Sequence, residues 1–199
     1  MTKQIIVATK NAGKAKEFEA LFAPHGIKVL SLLDLANSPD IEETGTTFEE
    51  NAILKAEGIA NLSQSVVIAD DSGLIIDELD GMPGIFSARY AGEDKDDDAN
   101  IDKVLFEMKD VPMEKRTGRF YCALAFAIPR VKTEVVAGVC EGKILNERQG
   151  LDGFGYDPIF YVEKEGKSMA EMLPEEKNKI SHRSLALKKL KPLVVQYFN

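Results

Sequence analysis

The sequence predicts an α/β fold with a mixed β-sheet and flanking helices, and three observations support this prediction. An apolar run followed by a helix-periodic segment opens the chain, two strand patterns joined by a turn occupy its middle, and a last apolar run precedes a final helix. Because the middle strands are joined by a short turn, we expect part of the sheet to be antiparallel.

The N-terminal segment predicts a strand, a polar turn and a helix. Residues 5–8 are apolar, and Phe18 and Phe22 follow at helical spacing. The turn between these patterns, residues 9–14, contains a glycine and two lysines.

A second helix is predicted to begin near Thr47. Thr47 and Glu50 have the spacing of a capping box, in which side chains satisfy the first N–H groups of a helix. At about 100° per residue, Asn51 and Lys55 lie close to the apolar face that contains Ala52. We therefore expect these two polar side chains to point inward or along a cleft.

Residues 66–74 form the most informative segment. We interpret the apolar run as a buried strand that delivers two carboxylates, Asp70 and Asp71, into a glycine turn with Ser72. Asp-Ser-Gly is also common in turns without any function, because Asp and Ser bond to the nearby backbone. The functional alternative is a divalent-metal site, because Mg²⁺ takes a few carboxylate oxygens together with phosphates and waters. Glu42 and Glu43 are a second acidic pair that could contribute to it.

The second half of the chain predicts the remaining elements. Acidic residues 94–98 suit the N-terminal end of a helix that continues to Met108, and we interpret them as solvated. Further strands are predicted over residues 119–128, 133–141 and 159–162, and a final helix follows Ser181.

The composition is that of a globular protein without a broad basic surface. The 199 residues are 44% hydrophobic and 29% charged, which excludes wholesale disorder, and fit one domain or two closely joined lobes. A net charge of −8 argues against a nucleic-acid partner. Cys122 and Cys140 lie in apolar surroundings and predict buried thiols in a reducing compartment. Without a signal-peptide core or a run of 18 apolar residues, the sequence predicts a cytoplasmic protein with no membrane partner.

Residues 9–14 are a candidate phosphate loop. A glycine lets backbone approach a ligand, and a helix start offers N–H groups to an anion. A plain turn at the start of a helix is an equally good interpretation of this segment.

Lys177, His182 and Arg183 form a second candidate site near the start of the last helix. Cations are disfavoured at a helix N-terminus, so a bound anion or an electron-rich base would explain their presence. The alternative is an exposed arginine beside a capping serine.

Residues 154–157 place two aromatic side chains on a glycine loop. Aromatic rings stack on nucleobases, so this loop could hold a base. The phenylalanine and tyrosine could equally be anchors of the loop.

These segments resemble, in order, the motifs of the inosine-triphosphate pyrophosphatase family, the XTP/dITP diphosphatases. The matching stretches are ATKNAGK, EETGTTFEENAILKA, IADDSGL, GMPGIFSARYAG, GFGYDPIF and EEKNKISHRSLALKKL, which run from residue 8 to about residue 190. The resemblance implies an elongated mixed sheet with flanking helices that form two lobes around a central cleft, in a single domain over residues 1–199. It also implies a homodimer, Mg²⁺ dependence, and hydrolysis of ITP, dITP and XTP to the monophosphate and pyrophosphate, which cleanses the nucleotide pool.

The resemblance implies roles by position as well. Asp71 is the implied proton acceptor and metal ligand, and Glu42 the second metal carboxylate. Asn51, Asp70 and Arg89 fall in matching motifs without an assigned role. The implied substrate contacts are Thr9, Lys10, Asn11, Ala12, Gly13, Lys14, Lys55, Ser72, Phe154, Gly155, Tyr156, Asp157, Lys177, His182 and Arg183.

Two rival hypotheses remain open. A related pyrophosphatase of the Maf-like kind would act on modified pyrimidine nucleotides, and the SHR and GFGYDP segments favour the purine interpretation over it. A nucleotide-binding sensor would bind ITP and Mg²⁺ without releasing pyrophosphate.

Overall fold

The computed structural model describes residues 3–35 and 41–199. Within these residues the chain forms seven strands and five α-helices, joined in places by single turns of 3₁₀ helix. The strands are β1 Gln4–Val7, β2 Lys28–Ser31, β3 Val67–Ile76, β4 Thr117–Ala127, β5 Glu134–Ile144, β6 Phe160–Val162 and β7 Lys167–Ser168. The helices are α1 Ala12–Phe22, α2 Phe48–Ser63, α3 Asp97–Glu107, α4 Pro174–Ile180 and α5 His182–Phe198.

All seven strands belong to one mixed sheet, in the order β2-β1-β3-β4-β5-β6-β7. β1 pairs in parallel with β2 and β3, whereas β6 pairs antiparallel with β5 and β7. β4 and β5 are neighbours joined only by residues 128–133, a connection too short for the crossover that parallel strands need. The predicted mixed sheet and its central hairpin are therefore confirmed.

The chain divides into two compact units. The first unit comprises Met1–Asp71, Ala123–Ala137 and Ala186–Asn199, and the second comprises Ser72–Cys122 and Gly138–Leu185. The single two-lobed domain over residues 1–199 stays a prediction. By their residue ranges, β3, β4 and β5 each contribute residues to both units.

The predicted helices of the first unit form where their caps and apolar faces require. α1 begins after Asn11, whose side chain accepts a hydrogen bond from the Lys14 N–H, and it buries Phe18 and Phe22. α2 begins after Thr47, whose hydroxyl accepts the Glu50 N–H at 3.1 Å. The Glu50 carboxylate accepts hydrogen bonds from the Thr46 N–H at 2.6 Å and the Thr46 hydroxyl at 2.8 Å, and the Thr47 N–H adds a weaker interaction.

The predicted glycine turn after Asp71 is wrong. β3 runs without interruption from Val67 to Ile76, so the two aspartates lie inside a strand. Gly73 is required there because the chain packs closely against it. A Cβ at this position would lie 2.6 Å from the Gly84 carbonyl oxygen and closer still to the Ser87 hydroxyl.

The second unit has its own apolar core, which packs β3 and β4 residues against α3 and β6. Arg116 is only 1% exposed and lies beside this core. Its guanidinium donates hydrogen bonds to four backbone carbonyls, those of Met108, Val111, Ile144 and Leu145. The arginine therefore joins the C-terminal end of α3 to the end of β5.

The two cysteines and the lengths of the helices agree with the sequence predictions. Cys122 and Cys140 are buried free thiols, as expected. Among the described residues, no helix is both long enough and apolar enough to span a membrane.

Candidate active site

The two aspartates of β3 have different partners in the first unit. Successive side chains of a strand project to opposite faces, so Asp70 and Asp71 meet different elements. Asp70 is 4% exposed, and its Oδ2 lies 2.6 Å from the Lys14 Nζ of α1. Asp71 instead interacts with Asn51 and Lys55 of α2.

Asp71 lies in a small network of charges and amides. Its Oδ1 is 3.9 Å from the Lys55 Nζ, which also lies 2.7 Å from the Glu43 Oε1. The Asn51 side chain hydrogen-bonds the Asp71 carboxyl, and its Oδ1 accepts the Gly45 N–H at 2.8 Å. The buried Asn51 therefore joins the loop that carries Glu43 to the strand that carries Asp71.

The electrostatics of this network raise the pKa of Asp71 to about 6. Burial is the main cause, and the nearby Glu43 and Asp70 carboxylates add to it against the opposing effects of Lys55 and Asn51. The pKa of Lys55 is also raised, because the surrounding carboxylates outweigh the burial that would lower it. Asp71 thus titrates close to neutral pH, where a proton acceptor is useful.

The glutamate in this network is Glu43, which the sequence analysis did not assign. Glu42, the predicted metal carboxylate, is exposed at the neighbouring position. The sequence showed only that two adjacent glutamates were available for this position. Which of the two faces Lys55 depends on the path of the backbone, and the structure places Glu43 there. Within the described ranges, no group of three or more His, Cys, Asp or Glu side chains is placed so that it could hold a metal ion by itself.

The predicted phosphate loop forms the start of α1. The Thr9 hydroxyl accepts the Asn11 N–H at 3.1 Å, and the Asn11 Oδ1 accepts the Lys14 N–H at 3.0 Å. Lys10, Ala12 and Gly13 are exposed, as Asn11 is, and Thr9 is buried. The loop therefore presents a capped helix start to solvent, with Lys14 turned toward Asp70.

The second unit holds a separate cluster around Phe154. The ring of Phe154 is 59% exposed, and the Lys177 Nζ and the Arg183 Cζ lie 4.9 Å and 5.9 Å from its centroid. Lys177 also forms an ion pair with the buried Asp157, whose Oδ2 accepts the Phe154 N–H at 2.9 Å. Asp157 therefore orients both the loop and the lysine.

Other predicted residues of the second unit pack against, or hydrogen-bond to, neighbouring elements. His182 stacks on Phe120 with ring centroids 5.0 Å apart, and Ser72 is half-buried in β3. The Gly155 N–H donates to the Asp97 carboxylate at 2.8 Å, so the acidic start of α3 is not merely solvated as predicted. The Arg89 guanidinium lies 5.5 Å from the ring centroid of Phe86.

Tyr156 differs from Phe154 in its environment. It is 4% exposed and belongs to the apolar core of the second unit, and its hydroxyl donates to the Ser87 carbonyl oxygen at 2.8 Å. The structure therefore favours the anchoring interpretation for Tyr156 and leaves only the Phe154 ring open for stacking.

The motifs and the fold point to the same family. The model of the Ham1 family matches residues 5–193, and the chain belongs to this family. It is 59% identical over 188 residues to a dITP/XTP pyrophosphatase of Geobacillus kaustophilus, covering 94% of this chain and 92% of the relative. A dITP/XTP pyrophosphatase of Halalkalibacterium halodurans is 61% identical over 188 residues, covering 94% and 97%.

Solved structures show the same fold. The Ham1 protein of Staphylococcus aureus superimposes with a TM-score of 0.92 at 44% identity, covering 98% of this chain and 100% of that protein. A nucleoside-triphosphatase, dITP/XTP pyrophosphatase, of Mycobacterium abscessus superimposes with a TM-score of 0.82 at 39% identity, covering 95% and 99%. The predicted family and fold class are confirmed.

Proposed function

We propose that the protein hydrolyses purine nucleoside triphosphates such as dITP, XTP and ITP to the monophosphate and pyrophosphate. The similarity to dITP/XTP pyrophosphatases, at 59% and 61% identity over almost the whole of both chains, is the observation that carries this proposal. The two side-chain clusters supply the chemistry that such a reaction needs.

The first cluster suits the triphosphate. Lys14 and Lys55 carry ammonium groups within a set of carboxylates, and the exposed start of α1 offers backbone N–H groups. In the reaction these two lysines stabilise the charge that develops on the phosphate oxygens. Substrate contacts through residues 9–14 and Ser72 belong to the same proposal.

The donor chemistry of the cluster fits Mg²⁺. Asp70 pairs with Lys14, whereas Glu43 and Asp71 lie near Lys55, so the cluster has three carboxylates against two ammonium groups. Magnesium is usually held by one or two carboxylates plus substrate phosphates and waters, so no complete cage is needed. Asp71 and a glutamate of the 42–43 pair would hold the ion. When bound, Mg²⁺ neutralises phosphate charge and makes a bound water more acidic.

Asp71 is the proposed proton acceptor. With a pKa of about 6, its carboxylate is mostly ionised at neutral pH and can take a proton from the attacking water. Asn51 keeps this carboxylate oriented, and Lys55 compensates its charge. Pyrophosphate then leaves with its charge compensated by Lys14 and Lys55.

The second cluster suits a purine base. The exposed Phe154 ring offers a stacking surface, and Lys177 and Arg183 supply hydrogen-bond donors beside it. His182, next to Arg183 in sequence, is proposed as a further donor to the base. These side chains can donate hydrogen bonds to the 6-keto oxygen of hypoxanthine or xanthine, whereas the 6-amino group of adenine is itself a donor and cannot accept them. A site that leaves buried polar groups unpaired discriminates by roughly 10⁴ to 10⁵.

The proposal extends to a cytoplasmic homodimer that contacts neither nucleic acid nor membrane. It requires that the two clusters act on one nucleotide. The predicted two-lobed arrangement around a cleft would meet this requirement.

Pyrophosphate release tests the function directly. The assay compares ITP, dITP, XTP, GTP, ATP and dTTP, with Mg²⁺ and with EDTA. We expect ITP, dITP and XTP to exceed ATP by orders of magnitude, and turnover to require Mg²⁺. Equal hydrolysis of ATP and ITP would contradict the base selectivity. A preference for pyrimidine nucleotides would support the Maf-like rival, and binding of ITP without pyrophosphate release would support a sensor.

A further inference from the structure

The GMPGIFSARYAG segment, residues 81–92, supplies no side chain to the proposed chemistry. We call it the bracing loop, and its hydrogen bonds to Leu74, Asn100, Lys103 and Tyr156 lie within the second unit. Two of these hydrogen bonds involve buried groups. One joins the bracing loop to β3, and the other joins it to Tyr156 in the loop over residues 154–157.

Ser87 is the central residue of the bracing loop. Its hydroxyl accepts the Leu74 N–H at 2.8 Å and donates to the Gly84 carbonyl oxygen at 2.6 Å. Gly73 leaves room for this hydroxyl, because a Cβ there would overlap it. The serine thus fixes the bracing loop to β3 just after Asp71 and Ser72 in sequence.

The other end of the loop is held by α3. Asn100 receives the Ala91 N–H at 2.6 Å and donates to the Ala88 carbonyl oxygen at 3.3 Å. The Lys103 Nζ donates to the Tyr90 carbonyl oxygen at 2.8 Å. The backbone around residue 87 is therefore fixed from two directions, and its carbonyl is a rigid acceptor.

Tyr156 uses this acceptor. Its hydroxyl donates to the Ser87 carbonyl oxygen at 2.8 Å, and its ring is buried in the core. The two residues before it are Gly155, whose N–H bonds to Asp97 of α3, and Phe154, whose N–H bonds to Asp157. The exposed Phe154 ring is therefore presented from a loop that is anchored on both sides.

We infer that Tyr156 and Ser87 are positioning residues that set base selectivity, by holding the Phe154 ring and Lys177 in place through the bracing loop. This inference rests on the proposed function. In this inference Tyr156 influences binding of the base without touching the substrate, whereas Phe154 can stack on the base directly. Loss of the buried hydroxyl bond should loosen the base side of the site and leave the phosphate chemistry largely unchanged.

Tyr156→Phe tests the inference with a single-atom change. A buried hydrogen bond and its unsatisfied acceptor correspond to about a tenfold effect. We expect the KM for dITP to rise about tenfold, the ratio of kcat/KM for dITP over ATP to fall by a similar factor, and kcat to change by no more than about twofold.

Tyr90→Phe is the matched control. Tyr90 belongs to the bracing loop and to the same core, but its hydroxyl donates to Glu107 of α3, so its removal leaves the bond between Tyr156 and the Ser87 carbonyl intact. A purely structural role for Tyr156 predicts that both variants lower the Tm alike and leave the KM and the selectivity ratio at wild-type values. That result would overturn the inference.

Ser87→Ala provides a second test of the link between the bracing loop and Tyr156. If both residues act through one link, the double variant Tyr156→Phe with Ser87→Ala should raise the KM little more than the stronger single variant. Fully additive effects would refute the link. Wild-type protein that releases no pyrophosphate from dITP would defeat the proposed function itself, whereas active wild type with unaltered variants would defeat only this inference.

Discussion

Asp71→Asn should stabilise the folded protein in the absence of divalent metal while destroying its activity. Asp71 is 12% exposed in its side chain, and burial among carboxylates raises its pKa from 3.8 to about 6. The folded state therefore binds this proton more tightly than the unfolded state does. Asparagine is a neutral mimic of the protonated carboxyl, so the variant is free of the cost of ionising the group.

The sign and size follow from proton linkage. Because the folded-state pKa is raised, the free energy of unfolding falls as pH rises from 3.8 through about 6. A shift of about two pKa units corresponds to about 3 kcal/mol once the carboxyl is fully ionised, as an upper value. About half of this develops between pH 5 and pH 7.5.

The assay is urea unfolding of wild type and variant in EDTA at pH 5 and pH 7.5. Taking the difference between the two proteins cancels the titration of the groups that do not interact with Asp71. We expect Asp71→Asn to be the more stable protein at both pH values, with a margin about 1 to 1.5 kcal/mol larger at pH 7.5. Added Mg²⁺ should reverse the order at pH 7.5, because it stabilises the wild type alone.

A margin that does not change with pH would refute the reasoning, because only an ionisation difference produces the dependence. A variant that is less stable than wild type at both pH values in EDTA would refute it as well. Asn51→Asp is a useful companion, since it adds a carboxylate beside Asp71 and should lower the stability more at pH 7.5 than at pH 5.

Three further predictions concern activity and stability. Asp71→Asn should abolish pyrophosphate release while most of the affinity for dITP, measured by calorimetry, is retained; a fully active variant would exclude Asp71 as the proton acceptor. Asp70→Asn removes the buried partner of Lys14 and should raise the KM for dITP about tenfold. The Mg²⁺ concentration that gives the half-maximal rate should stay unchanged. A shift in that Mg²⁺ concentration would instead make Asp70 a metal ligand. Arg116→Met leaves four backbone carbonyls without their donor and should lower the free energy of unfolding by about 3 kcal/mol or more, and an unchanged urea midpoint would contradict this.

Local patterns predicted most of the regular structure. The β1–α1 unit, the Thr47 cap of α2, the central hairpin and the final helix all depend on hydrogen bonds and periodicity within a few residues of sequence. The sequence analysis missed β2 and β7, which are only four and two residues long. Such short strands carry too little periodicity to be recognised, and they form because a neighbouring strand is already present.

For the candidate site, too, the sequence predicted some features and missed others. The sequence indicated the residue types, and the resemblance supplied the individual roles. The sequence did not show that Glu43 rather than Glu42 faces Lys55, or that Tyr156 is an anchor while Phe154 is exposed. Each of these depends on which side chain a loop turns inward, and a one-residue difference reverses that.

The sequence alone determined the fold class, the family and the set of polar side chains available for chemistry, because these depend on local periodicity and on motifs spread along the chain. Only the tertiary structure decided the pairings. Lys14 meets Asp70 across 56 positions of sequence, and Ser87 meets Tyr156 across 69. Contacts of this kind arise when separate elements pack together, and the resulting burial gives Asp71 a pKa that no property of its neighbours in sequence could reveal.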